Sequence, residues 1–283
     1  MSGPGARLIV KPEDVVFEQL SWDKTGSKSF FNAVYTDAGT EFGLCVRTDD
    51  VVTQFGLDYV QWHNKRPQRG CALEDSATRA SMTVEVPETS ALYGFFTGLE
   101  ARFAEVLASR PELRDMVAKL QGVQPRTPQW DTLVTNPAKH AIHQPIMSIS
   151  DEGWTPQFHL DFDKCKDETG KITLKTRFEE QDADGKWVPI DTECLIAGIP
   201  PFTVVRMVLS YVGIRLVPTT GDLRHVFKPS LVAVVRRVAD RDEAVAGGLM
   251  QSPSADVPYN ISFGMLESGT TVFESASKRT RTE

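Results

Sequence analysis

The sequence lacks the features that mark proteins with structural metal sites, secreted proteins and membrane-spanning proteins. Only four cysteines occur among its 283 residues, and Cys45, Cys71, Cys165 and Cys194 form no CxxC pair. Such wide spacing argues against a structural zinc site and is typical of reduced thiols in the cytosol or nucleus. No run approaches the roughly 18 apolar residues that span a bilayer, and the N-terminus lacks the apolar segment of a secretion signal. We therefore expect an intracellular protein that has no membrane partner.

Motifs of the common hydrolases and nucleotide-binding enzymes are absent too. The chain contains no GxSxG, no GxxxxGK[ST] and no HExxH, which are local signatures of serine hydrolases, P-loop proteins and zinc proteases. Residues 182–185 (DADG) resemble part of a calcium loop, but the glutamate that closes an EF-hand is missing, so we interpret them as a hairpin turn. From the motifs we predict no catalytic residue, no metal and no cofactor.

Residues 202–238 form the most strand-like stretch of the chain and one of its most basic. Nearly every residue from 202 to 217 is β-branched, aromatic or aliphatic, Gly213 offers a place for a bulge, and residues 218–222 supply turn chemistry. A second apolar run follows, so the pattern predicts a long β-hairpin. Although the net charge of the chain is −7, this hairpin carries six cations against one acid, Asp222. The cations are Arg206, Arg215, Arg224, Lys228, Arg236 and Arg237.

Short strands and one helical segment make up the rest of the predicted domain. Alternating apolar residues predict a hairpin that begins at Lys28, whereas residues 48–62 have no clean period and are interpreted as a loop around Phe55. Seven apolar residues at helical spacing between positions 92 and 107 predict an amphipathic helix, and a second helix is predicted from Pro111. We expect an α+β fold built on an antiparallel barrel or strongly curved sheet, with an inserted helical hairpin at about residues 90–121. The expected division is a flexible segment at 1–27, a single β-rich domain at 28–238 and a flexible segment at 239–283.

Two histidines and a carboxylate suggest an enzymatic alternative. His159, Asp161 and His225, with Arg236 eleven residues beyond, follow the linear order of the iron site of Fe(II)/2-oxoglutarate oxygenases. A strand through QFHLDF would place His159 and Asp161 on one face, as iron binding requires. The other interpretation is that this HxD segment is a solvated strand edge beside a turn, and the oxygenase stays open as an alternative.

The cations also suggest a groove for single-stranded nucleic acid, which needs a basic track for phosphates and aromatic faces for bases. The candidates lie in the hairpin, in a polar loop after residue 62, and on the predicted strand ITLKTRF, where two cations alternate. A different interpretation assigns the aromatics to the core and the charges to solubility, which leaves a structural or interaction protein. The candidate phosphate contacts are Lys65, Arg66, Arg69, Lys175, Arg177, Arg206, Arg215 and Arg224, and the candidate stacking residues are Trp62, Phe31, Tyr35 and Phe178.

Four segments occur in a suggestive order: TQFGLDYV, ALYGFFTGLEARFAEVL, EEQDADGKWVPI and MVLSYVGIRLV. Over about residues 28–238 the chain resembles the single-stranded DNA-binding proteins of nucleocytoplasmic large DNA viruses, the group with chlorovirus, asfarvirus and poxvirus members. It departs from their pattern at Arg215 and Leu216, where an aromatic pair is common. The resemblance implies an OB-like β-barrel that coats single-stranded DNA, without catalysis, in viral DNA replication, recombination or repair. It also implies self-association along the strand, replication proteins as partners, and residence in the host nucleus or a cytoplasmic viral factory.

Overall fold

The computed structural model describes residues 6–24, 30–63, 66–73, 78–109, 144–150, 153–191, 198–217 and 223–250, together with isolated positions such as Leu195. Its helices are α1 (Ala91–Ser109) and α2 (Arg241–Ala246), and 3-10 turns lie at Pro12–Asp14 and Phe17–Gln19. Among the described residues, no helix is long and apolar enough to cross a lipid bilayer. The strands are β1 (Arg7–Val10), β2 (Leu20–Lys24), β3 (Phe30–Asp37), β4 (Thr40–Arg47), β5 (Val51–His63), β6 (Arg66–Gln68), β7 (Arg79–Glu85), β8 (Met147–Ser148), β9 (Gln157–Phe162), β10 (Lys164–Lys166), β11 (Ile172–Leu174), β12 (Arg177–Gln181), β13 (Trp187–Pro189), β14 (Thr203–Leu216) and β15 (Leu223–Arg237).

Thirteen of these strands form one large mixed sheet, in which the longest path runs β1-β4-β3-β14-β5-β7-β9-β8. The prediction of a mostly β fold with a long helix is confirmed, but the antiparallel prediction is wrong for two pairs. Strand β1 runs parallel to β4 and β12 runs parallel to β15. Within the described residues no hydrogen-bonded ladder closes the sheet into a barrel. Strand β9 approaches β15 instead through contacts such as the ion pair between Lys228 and Asp163.

The hairpin predicted at residues 202–238 is the centre of the sheet, and a bulge in it decides which side chains face the solvent. Strands β14 and β15 pair antiparallel, with a register shift between Tyr211 and Gly213. Before this bulge the odd-numbered residues of β14 face the core, and after it the even-numbered residues do. Arg206 and Arg215 therefore both face away from the core, although one position is even and the other odd.

Glycine is needed at the bulge because β3 passes very close to it. Gly213 has a φ of +140°, and a Cβ there would lie 2.0 Å from the carbonyl oxygen of Phe31 and 2.9 Å from the nitrogen of Ala33. An L-residue would both strain the backbone and collide with main-chain atoms. The bulge predicted at Gly213 is thus confirmed, and its cause is the close approach of β3.

Residues 48–62, interpreted as a loop from the sequence, contain most of the thirteen-residue strand β5. This strand pairs with β14 through residues 51–53 and then with β7, with a register shift between Thr53 and Leu57. Gly56 lies in that bulge with a φ of +71°, and a Cβ there would lie 1.8 Å from the carbonyl oxygen of Ile199. The loop prediction is wrong because a strand that changes phase at a bulge shows no single period over its length.

The amphipathic helix predicted from the apolar stripe is confirmed as α1, whose seven stripe residues are all buried. The ring centre of Phe96 lies 4.5 Å from that of Phe158 on β9 and 5.4 Å from that of Phe227 on β15. The ring of Phe103 lies 5.3 Å from Trp22 on β2, in an edge-to-face contact. These aromatic contacts join α1 to three strands of the sheet. The second helix predicted from position 111 lies outside the described residues.

Both ends of the described chain carry apolar residues that reach the core. Strand β1 pairs with β4, β2 pairs with β3, and Trp22 is 1% exposed. Residues 1–5, 25–27 and 251–283 lie outside the described part, and the division into one domain with two flexible ends stays a prediction.

Near the C-terminal end of the described chain, α2 covers a second, small core. Its buried members are Val52, Phe202, Val204, Val238, Ala244 and Met250.

A buried polar cluster links α2 to strands β5, β7 and β9. Nε2 of Gln157 donates to Oε1 of Gln54 at 2.8 Å and to Oε1 of Glu85 at 3.1 Å. The guanidinium carbon of Arg241, at the start of α2, lies 4.2 Å from the centre of the Trp154 ring. Glu85 and Arg241 are 1% and 4% exposed, so water screens their charges weakly.

We expect Glu85 to make the stability of the protein depend on pH. Burial raises the pKa of Glu85 from 4.5 to about 7, although Gln157, Arg241 and Thr155 act in the opposite direction. Because the folded pKa lies above the unfolded one, the stabilising contribution is complete below pH 4.5 and is lost as the pH rises through about 7. The free energy of unfolding should fall by roughly 3 kcal/mol over this window.

Urea unfolding of the wild type and of Glu85→Gln between these pH values measures the contribution of Glu85. The amide of glutamine keeps the size of the protonated carboxyl but does not titrate, so the difference in unfolding free energy between the two proteins should change across the window. If the difference in unfolding free energy between the two proteins stays constant with pH, Glu85 is not the group that makes the stability depend on pH.

Candidate nucleic-acid interface

The outward side of the β14–β15 hairpin and its neighbouring strands carries a band of cations, which we call the basic face. Arg206 lies between the core residues Val205 and Met207, so strand alternation turns its side chain away from the core. The same alternation exposes Arg47 at the end of β4, opposite Val208 on β14. The six members of the basic face are Arg47, Arg177, Arg206, Arg215, Arg224 and Lys228.

Arg215 and Arg224 are direct neighbours across the β14–β15 ladder, and both are exposed. Opposite Cβ atoms in an antiparallel pair lie about 4.5–5.5 Å apart, so two guanidinium groups at these positions repel each other. No described carboxylate forms an ion pair with Arg215. On the other side of β14, Arg215 lies opposite the half-buried Phe30 of β3. One row across three strands therefore presents two cations beside an aromatic ring.

Three other members of the basic face form ion pairs in which the side chain of the cation is exposed, although one acidic partner, Glu179, is only 13% exposed. Each such pair contributes about 0–1 kcal/mol to stability, because water screens the charges. A phosphate group can therefore replace the carboxylate at little cost to the fold. The pairs are Arg206–Asp50, Lys228–Asp163 and Arg177–Glu179, with N–O distances of 2.5, 2.6 and 2.5 Å.

Three of the predicted stacking residues are buried and cannot present their rings to a base. Phe31, Tyr35 and Phe178 are 1%, 3% and 3% exposed. The phenol oxygen of Tyr35 accepts the backbone N–H of Val16 at 3.2 Å, and the ring of Phe178 lies 5.6 Å from that of Phe162. The stacking prediction is wrong for these three residues, because strand alternation turns them into the core.

Phe30 and Arg47 belong to the candidate interface but were missed in the sequence. The pattern of β3 shows only that Phe30 and Phe31 face opposite sides of a strand. The ladder with β14, in which Phe31 lies opposite the buried Ile214, decides that Phe31 is inside. Arg47 ends the predicted strand EFGLCVR, but nothing in the local sequence shows that this strand lies beside β14.

The remaining predicted phosphate contacts fall in separate places. Lys175 is exposed in the turn between β11 and β12, so Lys175 and Arg177 do not alternate along one strand as predicted. Arg69 follows β6, which pairs with the end of β5. Outside the described part of the chain lie Lys65 and the side chains of Trp62 and Arg66.

The structure does not assemble the iron site considered from the sequence. Nε2 of His159 lies 3.6 Å from Oδ1 of Asp161 on the exposed side of β9, and the hydrogen bond with His159 is the main cause that lowers the pKa of Asp161. His225 faces the core side of β15, where Nδ1 lies 2.8 Å from Oη of Tyr211 and the ring lies 5.6 Å from Phe103. The two histidines thus face opposite sides of the sheet. Among the described residues, no group of three histidine, cysteine or acidic side chains is placed to hold a metal ion.

Residues 182–185 form the turn between β12 and β13, as interpreted from the sequence. Oδ1 of Asp182 accepts the backbone N–H groups of Asp184 and Lys186 at 3.0 and 2.9 Å. This is the local hydrogen bonding of an aspartate in a tight turn. The acidic residues that resemble part of a calcium loop are therefore explained by the needs of the turn.

Comparisons with known proteins give distant likenesses. No protein-family profile and no curated protein matches this chain. Among solved structures, gp2.5, a single-stranded DNA-binding protein encoded by bacteriophage T7, is 12% identical with a TM-score of 0.34, over 76% of this chain and 98% of that chain. The single-stranded DNA-binding protein from bacteriophage Enc34 is 11% identical as a C-terminal truncation, over 80% of this chain and 99% of that chain, with a TM-score of 0.33. The same protein in its complex with single-stranded DNA is 13% identical, over 79% of this chain and 98% of that chain, with a TM-score of 0.33.

Likeness at this level does not identify a function. None of these comparisons tests the resemblance to the proteins of large DNA viruses, which stays a prediction.

Proposed function

We propose that this protein binds single-stranded DNA without catalysing a reaction on it, and that the strand lies along the basic face. Six cations on one side of a mostly β fold supply contacts for consecutive phosphates. The resemblance seen in the sequence supports a role in viral DNA replication, recombination or repair. It also supports self-association along the strand and replication proteins as partners.

The Arg215–Arg224 pair is the observation that carries the proposal. Like charges placed opposite each other across a β-ladder repel each other, and no described carboxylate forms an ion pair with Arg215. An anion held by both guanidinium groups relieves the repulsion, and a phosphodiester is such an anion. The bulge at Gly213 is what turns Arg215 outward, so the backbone itself sets up the pair.

The acidic net charge of −7 is compatible with this function, because local potential and not net charge attracts a phosphate backbone. Three cations of the basic face form ion pairs with acidic residues. No described carboxylate forms an ion pair with Arg215. We therefore expect binding that is measurable at low salt and sensitive to ionic strength.

Fluorescence anisotropy with a labelled oligo-dT, repeated across a salt series, tests the proposal. If all six cations contact phosphates, log K should fall with log[salt] with a slope of about −4, since each contact on a single strand contributes about −0.7. A duplex of the same length should bind more weakly. Absence of oligo-dT binding at low salt would contradict the proposal and favour a structural or interaction protein.

A further inference from the structure

Phe55, on β5, and Arg69, just after β6, form a cation–π pair. The guanidinium carbon of Arg69 is 4.9 Å from the centre of the Phe55 ring. Asp58 holds the guanidinium from one edge, since Nη1 of Arg69 donates to Oδ2 at 3.0 Å. The backbone N–H of Gly70 donates to the other carboxylate oxygen at 3.3 Å, which fixes Asp58 as well. The Arg69 side chain is nevertheless 44% exposed, so it is restrained and still open to solvent.

This geometry does not suit the phosphate role that the sequence suggests for Arg69. The carboxylate of Asp58 is 15% exposed and also accepts the backbone N–H of Gly70. A phosphate therefore replaces it less readily than it replaces the more exposed carboxylates that pair with Arg206 and Lys228. The ring of Phe55 lies against one side of the guanidinium. A planar cation that is held between a ring and a carboxylate and is still open to solvent is suited to stack on a base, because guanidinium planes stack on aromatic faces.

The pair lies on the same side of the sheet as the basic face. Asp58 lies between Leu57 and Tyr59, which both belong to the main core, so its side chain points outward. Arg206 points outward from β14 for the same reason, and β14 is hydrogen-bonded to β5. A single strand that contacts the basic face near Arg206 can continue toward Arg69 along the outward side, past α2.

We infer that Arg69 is a stacking platform for a nucleobase, held in place by Phe55 and Asp58. The base belongs to the same strand whose phosphates contact the basic face, so the inference rests on the proposed function. The stack has three layers, in which the phenyl ring supports the guanidinium and the guanidinium supports the base. The platform contributes affinity through the base and not through the phosphate charge.

The variant Arg69→Lys separates these two roles. Lysine keeps the positive charge and can still pair with Asp58, but it offers no planar surface to a base. We expect the affinity for oligo-dT to fall about 10-fold, the effect of losing one stacking contact. The slope of log K against log[salt] should stay unchanged. On a strand of abasic sites, which has phosphates and no bases, wild type and variant should bind equally.

The matched control is Arg79→Lys, at an exposed arginine on β7 outside both the basic face and the platform, and its affinity should equal that of the wild type. Equal binding of wild type and Arg69→Lys to oligo-dT would overturn the platform, as would a loss that persists on the abasic strand. Either result leaves the proposed function standing if the wild type binds oligo-dT with the expected salt slope. Failure of the wild type to bind oligo-dT would overturn both.

Discussion

The double variant Arg215→Glu/Arg224→Glu is expected to bind oligo-dT about 100-fold or more weakly than the wild type at low salt. Two phosphate contacts are lost, and two new carboxylates repel the strand. The slope of log K against log[salt] should become shallower by about 1.4, because each lost contact contributes about 0.7. Anisotropy titrations over a salt series measure both quantities at once.

The matched control, Lys11→Glu/Lys186→Glu, changes the net charge by the same amount. Both lysines are exposed and lie outside the basic face, so this variant should bind almost as well as the wild type. If the two double variants bind oligo-dT equally, the basic face is not the binding site. The single variant Arg215→Glu adds a further check, since it places opposite charges across the ladder. Its unfolding free energy should equal or exceed that of the wild type even though its DNA binding is weaker.

Gly213→Ala is expected to have the largest effect on stability. Strain of an L-residue at this positive φ costs about 1–3 kcal/mol, and crowding against β3 costs about 1–3 kcal/mol more. The unfolding free energy in urea should therefore fall by about 2–6 kcal/mol. Relief of the clash requires the bulge to rearrange, which changes the direction of Arg215. Variant protein that is still folded should therefore also bind oligo-dT more weakly.

Gly185→Ala is the control for Gly213→Ala, because it separates strain from crowding. Gly185 has a φ of +75° but would place its new Cβ in open space in the β12–β13 turn. We expect this variant to lose only the conformational contribution, about 1 kcal/mol, and to bind DNA as the wild type does. Equal losses of stability in the two variants would contradict the role given to the close approach of β3.

The sequence predicts those elements whose apolar residues either keep one period from end to end or form a long continuous run. The apolar stripe of α1 has a constant helical spacing, and each of its residues is buried as expected. The β14–β15 hairpin was predicted because its runs are long and a glycine marks the bulge. Strand β5 was missed because its bulge at Gly56 changes the phase in mid-strand, so alternation is lost when the whole segment is considered.

The candidate site was predicted less well, because it depends on which strands lie side by side. Sequence alternation separates Phe30 from Phe31, but only the pairing of β3 with β14 shows that Phe31 is inside. Arg215 and Arg224 were both candidates, although their direct opposition follows from a register that local sequence does not contain. Arg69 was predicted to contact a phosphate, and only its contacts with Phe55 and Asp58 suggest a different role.

Photocrosslinking of the wild-type protein to a single strand that contains iodouracil tests the central claim most directly, with crosslinked residues mapped by mass spectrometry. The basic face predicts crosslinks in β14, β15 and the start of β3, and the platform predicts a further crosslink near Arg69. Crosslinks confined to the opposite side, in α1 or the 3-10 turns at Pro12–Asp14 and Phe17–Gln19, would contradict it.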